Sequence, residues 1–143
     1  MTGVQTCALP IYSYGHHEGD NILKRVAAEL ERGVRAADRV ARIGGEELAI
    51  LFSDVTPDQA MMRVRAILDR VKSVVRIGDQ KVTVSAGVAH AGELEAGEGF
   101  EVLLRRADEA LYRAKAAGRD RAEQAGAPTP KAPSAAGAGA SPA

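Results

Sequence analysis

The chain is poor in the residue types that mark several classes of protein. Its 143 residues include no tryptophan, two phenylalanines and three tyrosines, so any core must be built from aliphatic side chains. Positive and negative side chains both number 19, and a chain without net charge has no field to hold nucleic acid or an anionic membrane. The single cysteine, Cys7, excludes an internal disulfide. No apolar run approaches the roughly 18 residues that span a bilayer. We therefore expect a soluble, cytoplasmic protein.

Composition divides the chain into three segments. Residues 124–143 are nearly all Ala, Pro, Gly, Ser and Thr, which predicts a disordered tail because no large apolar side chain offsets the entropy of ordering. Residues 1–11 show neither strand alternation nor helical period and resemble the translation of a sequencing adapter. We interpret them as a non-native segment fused to a gene fragment. The remaining residues, 12–123, are long enough for one partial domain with a core of its own.

The middle segment alternates between helix and strand patterns. Apolar spacing and helix-start signals, Thr56 as N-cap followed by Pro57 among them, predict the helices, and β-branched runs predict the strands. In chain order, the predicted elements are a helix over 19–37, strands over 40–43 and 48–52, a helix over 57–72, a short strand and turn over 74–81, a strand over 82–89, and a helix over 100–117. This order predicts an α+β fold with an antiparallel-rich sheet and packed helices.

A Gly-Gly-Glu-Glu turn, residues 44–47, is the most informative stretch. Two glycines allow positive φ and a close approach of backbone to ligand. Glu46 and Glu47 supply oxygen ligands of the kind that Mg²⁺ prefers, usually together with substrate phosphates. The alternative is a solvated hairpin turn, since Gly-Gly is a common hairpin loop. The turn alone leaves both interpretations open.

Three further motifs accompany the turn: Tyr-Gly-His-His-Glu-Gly-Asp over 14–20, Arg-Ala-Ala-Asp over 35–38, and the stretch 106–119 that ends in Lys-Ala-Ala-Gly-Arg. With these in order, the chain resembles the GGDEF domain of bacterial diguanylate cyclases from Tyr14 to about Arg121. The resemblance implies a palm-like fold. It also implies condensation of two GTP into cyclic di-GMP, a bacterial second messenger, and pyrophosphate, across a homodimer.

The resemblance also implies roles for the turn. Gly44 and Gly45 match the glycines that lie against the nucleotide, and Glu46 matches a catalytic ligand of Mg²⁺, for which Mn²⁺ can substitute. Glu47 matches an essential catalytic acid, whose role as metal contact or proton acceptor stays open. Leu48 replaces the usual Phe and should point into the core, because side chains alternate along a strand.

Outside the turn, the resemblance assigns three further positions in substrate binding. Asp20 matches the aspartate that binds guanine, whose N1–H and N2–H₂ edge offers two donors to a carboxylate. Lys115 and Arg119 match a pair that contacts the β- and γ-phosphates. Without the resemblance, an acid at a helix N-terminus and cations at a helix C-terminus would need no ligand to explain them.

Arg35 and Asp38 match an inhibitory site at which cyclic di-GMP is bound as product. Arginine can grip guanine or phosphate with two hydrogen bonds, and aspartate can accept from the guanine edge. A surface ion pair at a helix end is the alternative for an Arg-x-x-Asp sequence. The spacing to Gly44 favours the product site.

The family's first central strand and the loop after it have no counterpart here. By family spacing, a Mg²⁺-binding aspartate falls at Gly3, a phosphate-binding lysine at Ala8 and a guanine-binding asparagine at Ile11. We therefore predict that this strand is missing or replaced and that the chain, although a cyclase by resemblance, is inactive. The alternative is a non-catalytic GGDEF-like module that binds cyclic di-GMP or GTP to signal a partner.

Overall fold

A computed structural model of the chain describes residues 2–8 and 16–126. The expectations for Ile11, for a natural start near Tyr12 and for the tail beyond residue 126 concern positions outside the described residues. The elements, in chain order, are β1 (Thr2–Ala8), α1 (His16–Arg32), β2 (Arg39–Arg42), β3 (Glu47–Ser53), α2 (Pro57–Val74), β4 (Arg76–Ile77), β5 (Gln80–Lys81), β6 (Ser85–His90), α3 (Phe100–Ala116) and β7 (Ala122–Gln124).

The main sheet has five strands in the order β2-β3-β1-β6-β7, and β4 and β5 form a separate two-stranded ribbon. All neighbours in the main sheet are antiparallel except β6 and β7. The predicted α+β fold, with helices packed on an antiparallel-rich sheet, is confirmed. The strand predicted over 82–89 begins three residues later in the structure, at Ser85, although Val82 and Val84 are buried.

Two strands lie at the ends of the domain, where sequence patterns are weakest. Gln124, the first residue of the predicted tail, ends β7, and the next residue, Ala125, is buried and donates its N–H to the carbonyl of Val88 at 2.7 Å. The described fold therefore extends through residues 124 and 125. A three-residue strand is too short for alternation to reveal.

The middle strand, β1, is formed by the segment that resembles an adapter. Of the two alternatives, missing or replaced, the structure shows the strand position filled by residues 2–8. Ala8 lies opposite both Glu47 of β3 and Ser85 of β6, whereas Gly3 lies five residues away, opposite Phe52. Strand pairing therefore places Ala8, and not Gly3 as family spacing suggests, at the end of β1 beside the Gly-Gly-Glu-Glu turn.

The helices pack on both faces of this sheet because each carries one apolar stripe. On α2, the six residues of the apolar stripe are all buried: Ala60, Met61, Val64, Ile67, Leu68 and Val71. Thr56 and Gln59 form the predicted capping box, with Gln59 N–H donating to Thr56 Oγ1 at 3.1 Å. Each fully buried aliphatic side chain contributes about 1.5–3 kcal/mol to stability. The buried stripe therefore stabilises α2 more than the capping box does.

One core lies between the sheet and helices α1 and α2, and a smaller one lies under α3. Alternate residues of β3, namely Leu48, Ile50 and Phe52, point into the first core. Leu48 is buried, so its predicted packing role is confirmed. A buried carboxylate also joins the two helices of this layer, because Glu29 on α1 accepts hydrogen bonds from Arg32 at 3.0 Å and Arg70 on α2 at 2.8 Å.

Helix α3 lies directly against β6, and a glycine makes this contact possible. A Cβ added to Gly87 would lie 2.0 Å from the carbonyl oxygen of Ala107 and 2.4 Å from the backbone nitrogen of Leu111. No rotamer change can relieve a clash with helix backbone.

Within the part of the chain that the structure describes, no helix is long and apolar enough to cross a bilayer.

We expect Gly87→Ala to lower the free energy of unfolding by about 2–3 kcal/mol, as overpacking of a close contact does. Urea denaturation at pH 7 measures this change. Gly126→Ala is the matched control, because a Cβ there meets nothing within 4 Å. Equal stability of the two variants would contradict the packing of α3 on β6.

Candidate functional site

The Gly-Gly-Glu-Glu turn joins β2 to β3 and is closed by a hydrogen bond from Ile43 N–H to the carbonyl of Glu47 at 3.0 Å. Neither Gly44 nor Gly45 has a positive φ, so that part of the expectation is wrong. Arg42 holds the turn instead, with Nε 3.2 Å from the carbonyl oxygen of Gly44 and Nη2 2.5 Å from that of Gly45.

The turn does not need glycines for its own packing. A Cβ at Gly45 would meet no atom of the described residues within 4 Å, and one at Gly44 would be in ordinary contact with Cβ of Glu47 at 3.7 Å. Both glycines are exposed. Since neither backbone angle nor internal packing demands glycine, the missing side chains leave space outside the turn. That space is what a ligand needs for close approach to the backbone.

Electrostatics link the turn to α3. Burial raises the pKa of Glu47 above its usual value of 4.5, the charges of Asp108 and Glu46 raise it further, and the positive charge of Lys115 opposes them. The predicted residues Glu46, Glu47 and Lys115 therefore lie in one electrostatic neighbourhood. No sequence motif singles out Asp108. It lies seven residues before Lys115, which places it two turns earlier on the same helix face.

Lys115 lies in the last turn of helix α3, and Arg119 lies beyond the end of the helix. Helix α3 ends at Ala116, and Gly118, which the sequence places at the helix C-terminus, has a φ of +121°. Arg119 follows with a φ of +64°, and its N–H donates to the carbonyl of Ala114 at 2.9 Å. The chain thus turns back at the helix end, so the geometry that brings Arg119 near Lys115 is a capping turn.

The loop after Arg119 is fixed from two sides. Asp120 also has a positive φ, of +51°, and donates its N–H to Ser85 Oγ at 3.2 Å. Its carboxylate pairs with Lys72 of α2. Left-handed backbone is costly outside glycine. These contacts explain how Arg119, a predicted phosphate ligand, and Asp120 both keep it.

Asp20 lies on α1 and is connected to the turn through Arg42, whose Nη2 is 3.7 Å from Asp20 Oδ1. Beside this pair, a groove of about 170 Å³ runs between α1 and β2. Its walls are mostly aliphatic, with charged side chains at the rim; they are Leu23, Lys24, Ala27, Glu31, Val40, Ala41, Arg42 and Leu48. The groove is smaller than the roughly 300 Å³ at which pockets for whole small molecules begin, so it fits a part of a ligand such as a flat ring.

Asp38 lies apart from these residues, at the start of β2, and its carboxylate is fully buried. It accepts hydrogen bonds from Arg35 N–H at 2.8 Å, Ser53 N–H at 3.0 Å and Arg63 Nη2 at 2.9 Å. Arg63 in turn lies over the ring of Phe52, 4.5 Å from its centroid. The carboxylate therefore ties the start of the hairpin to α2.

The pKa of Asp38 reflects these contacts. Burial by itself would raise the pKa, but the N–H groups of Ser53 and Arg35 and the Arg63 guanidinium outweigh it and lower the pKa from 3.8 to about 2. The Arg35 side chain is 53% exposed and bonds the carbonyl of Ser53. The arrangement leaves Arg35 accessible to a ligand, whereas Asp38 is placed to orient Arg35.

His90, which the sequence leaves without a partner, is buried at the end of β6. Its Nε2 lies 2.7 Å from the carbonyl oxygen of Val55, and its Nδ1 accepts from Gly92 N–H at 3.0 Å. Both ring nitrogens are used within the fold, so His90 has a structural role. No local pattern signals a partner 35 residues away.

Comparison with known proteins agrees with this geometry. The family described as "Diguanylate cyclase, GGDEF domain" matches residues 11–121. The chain is 40% identical over 119 residues to diguanylate cyclase DgcP of Pseudomonas aeruginosa, which covers 78% of this chain and 17% of that protein. It is 42% identical over 108 residues to diguanylate cyclase DgcM of Escherichia coli, covering 76% of this chain and 26% of that protein.

In three dimensions, the chain is similar to the GGDEF domain of DgcB from Caulobacter crescentus, solved in complex with c-di-GMP. The TM-score is 0.75 at 27% identity, over 87% of this chain and 77% of that chain. The chain belongs to the GGDEF family of diguanylate cyclases. It spans 17% and 26% of the length of the two curated relatives above, so it corresponds to one portion of such proteins.

Diguanylate cyclases of this family generally use a divalent metal, and the residues present do not assemble a full site for one. Among residues 2–8 and 16–126, no group of three or more His, Cys, Asp or Glu side chains could hold a metal ion. Glu46 and Glu47 are neighbours at the turn, and the β1 residue opposite Glu47 is Ala8. Mg²⁺ demands near-ideal octahedral ligation, which two adjacent carboxylates do not supply.

Asp38→Asn is expected to lower the free energy of unfolding at pH 7 by about 2 kcal/mol, the equivalent of the depressed pKa. The folded-state pKa lies below the unfolded value, so this stability is present above pH 3.8 and is lost as pH falls towards 2. Urea denaturation between pH 3 and 7 should show the difference from the unsubstituted protein shrinking below about pH 4. Asp69→Asn, at an exposed position of α2, is the control and should show neither effect.

Glu47→Gln is expected to stabilise the fold at neutral pH. The folded-state pKa of Glu47 lies above its usual value of 4.5, so the folded state loses stability as pH rises from there through the folded pKa. The substitution should therefore raise the melting temperature at pH 7 and leave it unchanged near pH 4. Glu109→Gln, at an exposed position of α3, is the control. A lower melting temperature for Glu47→Gln at pH 7 would contradict the unfavourable charge environment.

Proposed function

We propose that the chain carries the nucleotide-binding part of a diguanylate cyclase, which condenses two GTP into cyclic di-GMP and pyrophosphate for second-messenger signalling, and that this chain itself is inactive. One observation supports both halves of the proposal. The exposed glycines, the two carboxylates and Lys115 meet at one turn, while the strand position opposite Glu47 holds Ala8.

Recognition of guanine is the part of the proposal that involves Asp20. A carboxylate has two oxygens that accept from N1–H and N2–H₂ of guanine, and adenine lacks that pair of donors. Asp20 is exposed, and the aliphatic groove begins one helical turn further along α1, at Leu23. A purine ring placed in the groove would bring its edge towards the start of the helix. Asp20 would then read the base while Leu23 packs against it.

Phosphate binding would use the turn and the end of α3. Phosphoryl transfer needs alignment and charge neutralisation more than covalent help from the protein. Lys115 supplies a positive charge beside Glu47, and Arg119 sits on a fixed capping turn. Gly44 and Gly45 leave room for the phosphates to approach the backbone. In the parent enzyme, each protomer of a homodimer would hold one GTP in this way.

Inactivity of this chain would follow from its metal ligands. Glu46 is the proposed ligand for Mg²⁺, or for Mn²⁺, and it has no partner carboxylate on β1, because residues 2–8 contain neither Asp nor Glu. Glu47 would be the essential acid of the parent enzyme, in a setting where burial and the charges of Asp108 and Glu46 raise its pKa.

Arg35 and Asp38 would form the inhibitory product site, with divided roles. Arg35 is exposed and would contact cyclic di-GMP, while Asp38, fully buried, would keep Arg35 in place. Product binding in this region would need no metal. This favours a second candidate function, a non-catalytic module that binds cyclic di-GMP or GTP and signals a partner in the cytoplasm.

The binding part of the proposal predicts metal-free binding of GTP in preference to ATP. Calorimetric titration of the purified chain in EDTA should show GTP binding that Asp20→Asn weakens about tenfold, since the variant loses one carboxylate acceptor and its charge. Asp58→Asn, an acid in the first turn of α2, is the matched control and should bind like the unsubstituted chain. Equal affinity for GTP and ATP would contradict guanine recognition.

Incubation of the same chain with GTP and Mg²⁺, followed by chromatography, should yield no cyclic di-GMP. Formation of product would contradict the proposed inactivity. If the chain binds cyclic di-GMP but not GTP, and Arg35→Ala abolishes that binding, the non-catalytic module is favoured over the cyclase.

A further inference from the structure

Arg42 lies at the end of β2 and folds back over the Gly-Gly-Glu-Glu turn. Its Nε donates to the carbonyl of Gly44 at 3.2 Å and its Nη2 to that of Gly45 at 2.5 Å. We propose that Arg42 is a positioning residue that fixes this turn with the N–H groups of Gly45 and Glu46 directed outward, as donors for the phosphates of the nucleotide. This inference rests on the proposed function, since it concerns the same site.

The direction of the N–H groups follows from the planarity of the peptide bond. In a trans peptide, the C=O and the N–H of the next residue point in opposite directions, and none of the described peptides is cis. The carbonyls of Gly44 and Gly45 both point at the Arg42 guanidinium. The N–H groups of Gly45 and Glu46 therefore lie on the other side of the turn.

These two N–H groups are not used in the hydrogen bonds of residues 2–8 and 16–126. Neither donates to an acceptor among the described residues, and Gly45 is exposed while Glu46 is half-buried. Successive backbone N–H groups that face one side are a common way for proteins to bind an anion. No side chain shields them at Gly45, where even a Cβ would stand in open space. The turn therefore presents two adjacent donors to a phosphate.

Magnitudes separate the two contacts of Arg42. Its ion pair with Asp20, at 3.7 Å, joins side chains that are 51% and 60% exposed, and such surface pairs are worth little. The bonds to the two carbonyls are charge-assisted and hold a pair of glycines, which lose more backbone entropy on ordering than other residues. The carbonyl contacts, and not the ion pair, are what position the turn.

Arginine suits this task better than lysine. The planar guanidinium presents several N–H donors in a fixed fork and can bond two neighbouring carbonyls at once, whereas an ammonium group is a compact point charge on a flexible stem. Arg42→Lys therefore keeps the charge and loses the fork. The pair of variants Arg42→Gln and Arg42→Lys separates positioning from simple electrostatic attraction of phosphate.

The same strand supplies a matched control. Arg39, at the other end of β2, also bridges two carbonyls, those of Ala36 and Asp38, each at 2.8 Å. Arg39→Gln removes the same functional group from the same strand without touching the turn. Thermal unfolding of all variants verifies that each is folded before binding is measured.

The test compares GTP with guanosine, which has the base and no phosphates, by calorimetry in EDTA. Arg42→Gln and Arg42→Lys should each lower the affinity for GTP about tenfold, as loss of an ordered donor pair predicts. Both should lower the affinity for guanosine less than the affinity for GTP, because guanosine has no phosphate for the turn to bind, and Arg39→Gln should change neither affinity. Equal GTP affinity of Arg42→Gln and Arg39→Gln, an equal loss for guanosine, or full retention by Arg42→Lys would each overturn the proposal.

Amide hydrogen exchange in the ligand-free chain separates this proposal from the proposed function. Arg42→Gln should shift the NMR signals of the Gly45 and Glu46 amides and change their exchange rates at least about threefold, because the turn loses its fixed geometry. Arg39→Gln should leave them unchanged. If the unsubstituted chain binds neither GTP nor guanosine, the proposed function fails, and these amides still decide whether Arg42 positions the turn. Unchanged amides in Arg42→Gln would overturn it.

Discussion

Backbone pairing of β1 with β3 and β6 is the constraint on which the rest of the structure depends. It joins the β2–β3 hairpin, which contains the turn, to β6. Helix α3, which contains Lys115, packs against β6. Such pairing uses N–H and C=O groups that every residue except proline provides, so residues 2–8 can complete the sheet. The chemistry of the site needs particular side chains at the end of that strand. The family fold therefore persists although residues 2–8 contain neither Asp nor Glu.

The hairpin is held at both ends by side chains that bond backbone groups. Near the start of β2, Asp38 receives the N–H groups of Arg35 and Ser53 and the guanidinium of Arg63, which connects the hairpin to α2. At the turn, Arg42 donates hydrogen bonds to the carbonyls of the two glycines. A flexible glycine pair thereby sits on a rigid support, which is the arrangement that a binding site on a loop requires.

Local sequence signals predicted the elements that local physics determines. The capping box at Thr56, the buried stripe of α2, the inward Leu48 and the helix end at Gly118 all depend on residues close in sequence. Three features escaped prediction, the first two because they depend on distant partners. The strand at residues 2–8 is defined only by pairing, Asp38 is buried by residues 15 and 25 positions away, and Arg119 lies on a capping turn beyond its helix. The family resemblance named the candidate site residues, whereas the support from Arg42 and Arg63 emerged only from the structure.

The central claim is that this chain keeps the nucleotide-binding half of a cyclase site without its metal-binding half. The dependence of GTP affinity on Mg²⁺ tests it most directly, by calorimetry of the purified chain in EDTA and then in saturating Mg²⁺. We predict that the two affinities agree within about threefold, because Glu46 has no carboxylate partner on β1 to complete the coordination of the ion. A GTP affinity that rises by more than about tenfold with Mg²⁺ would contradict the account.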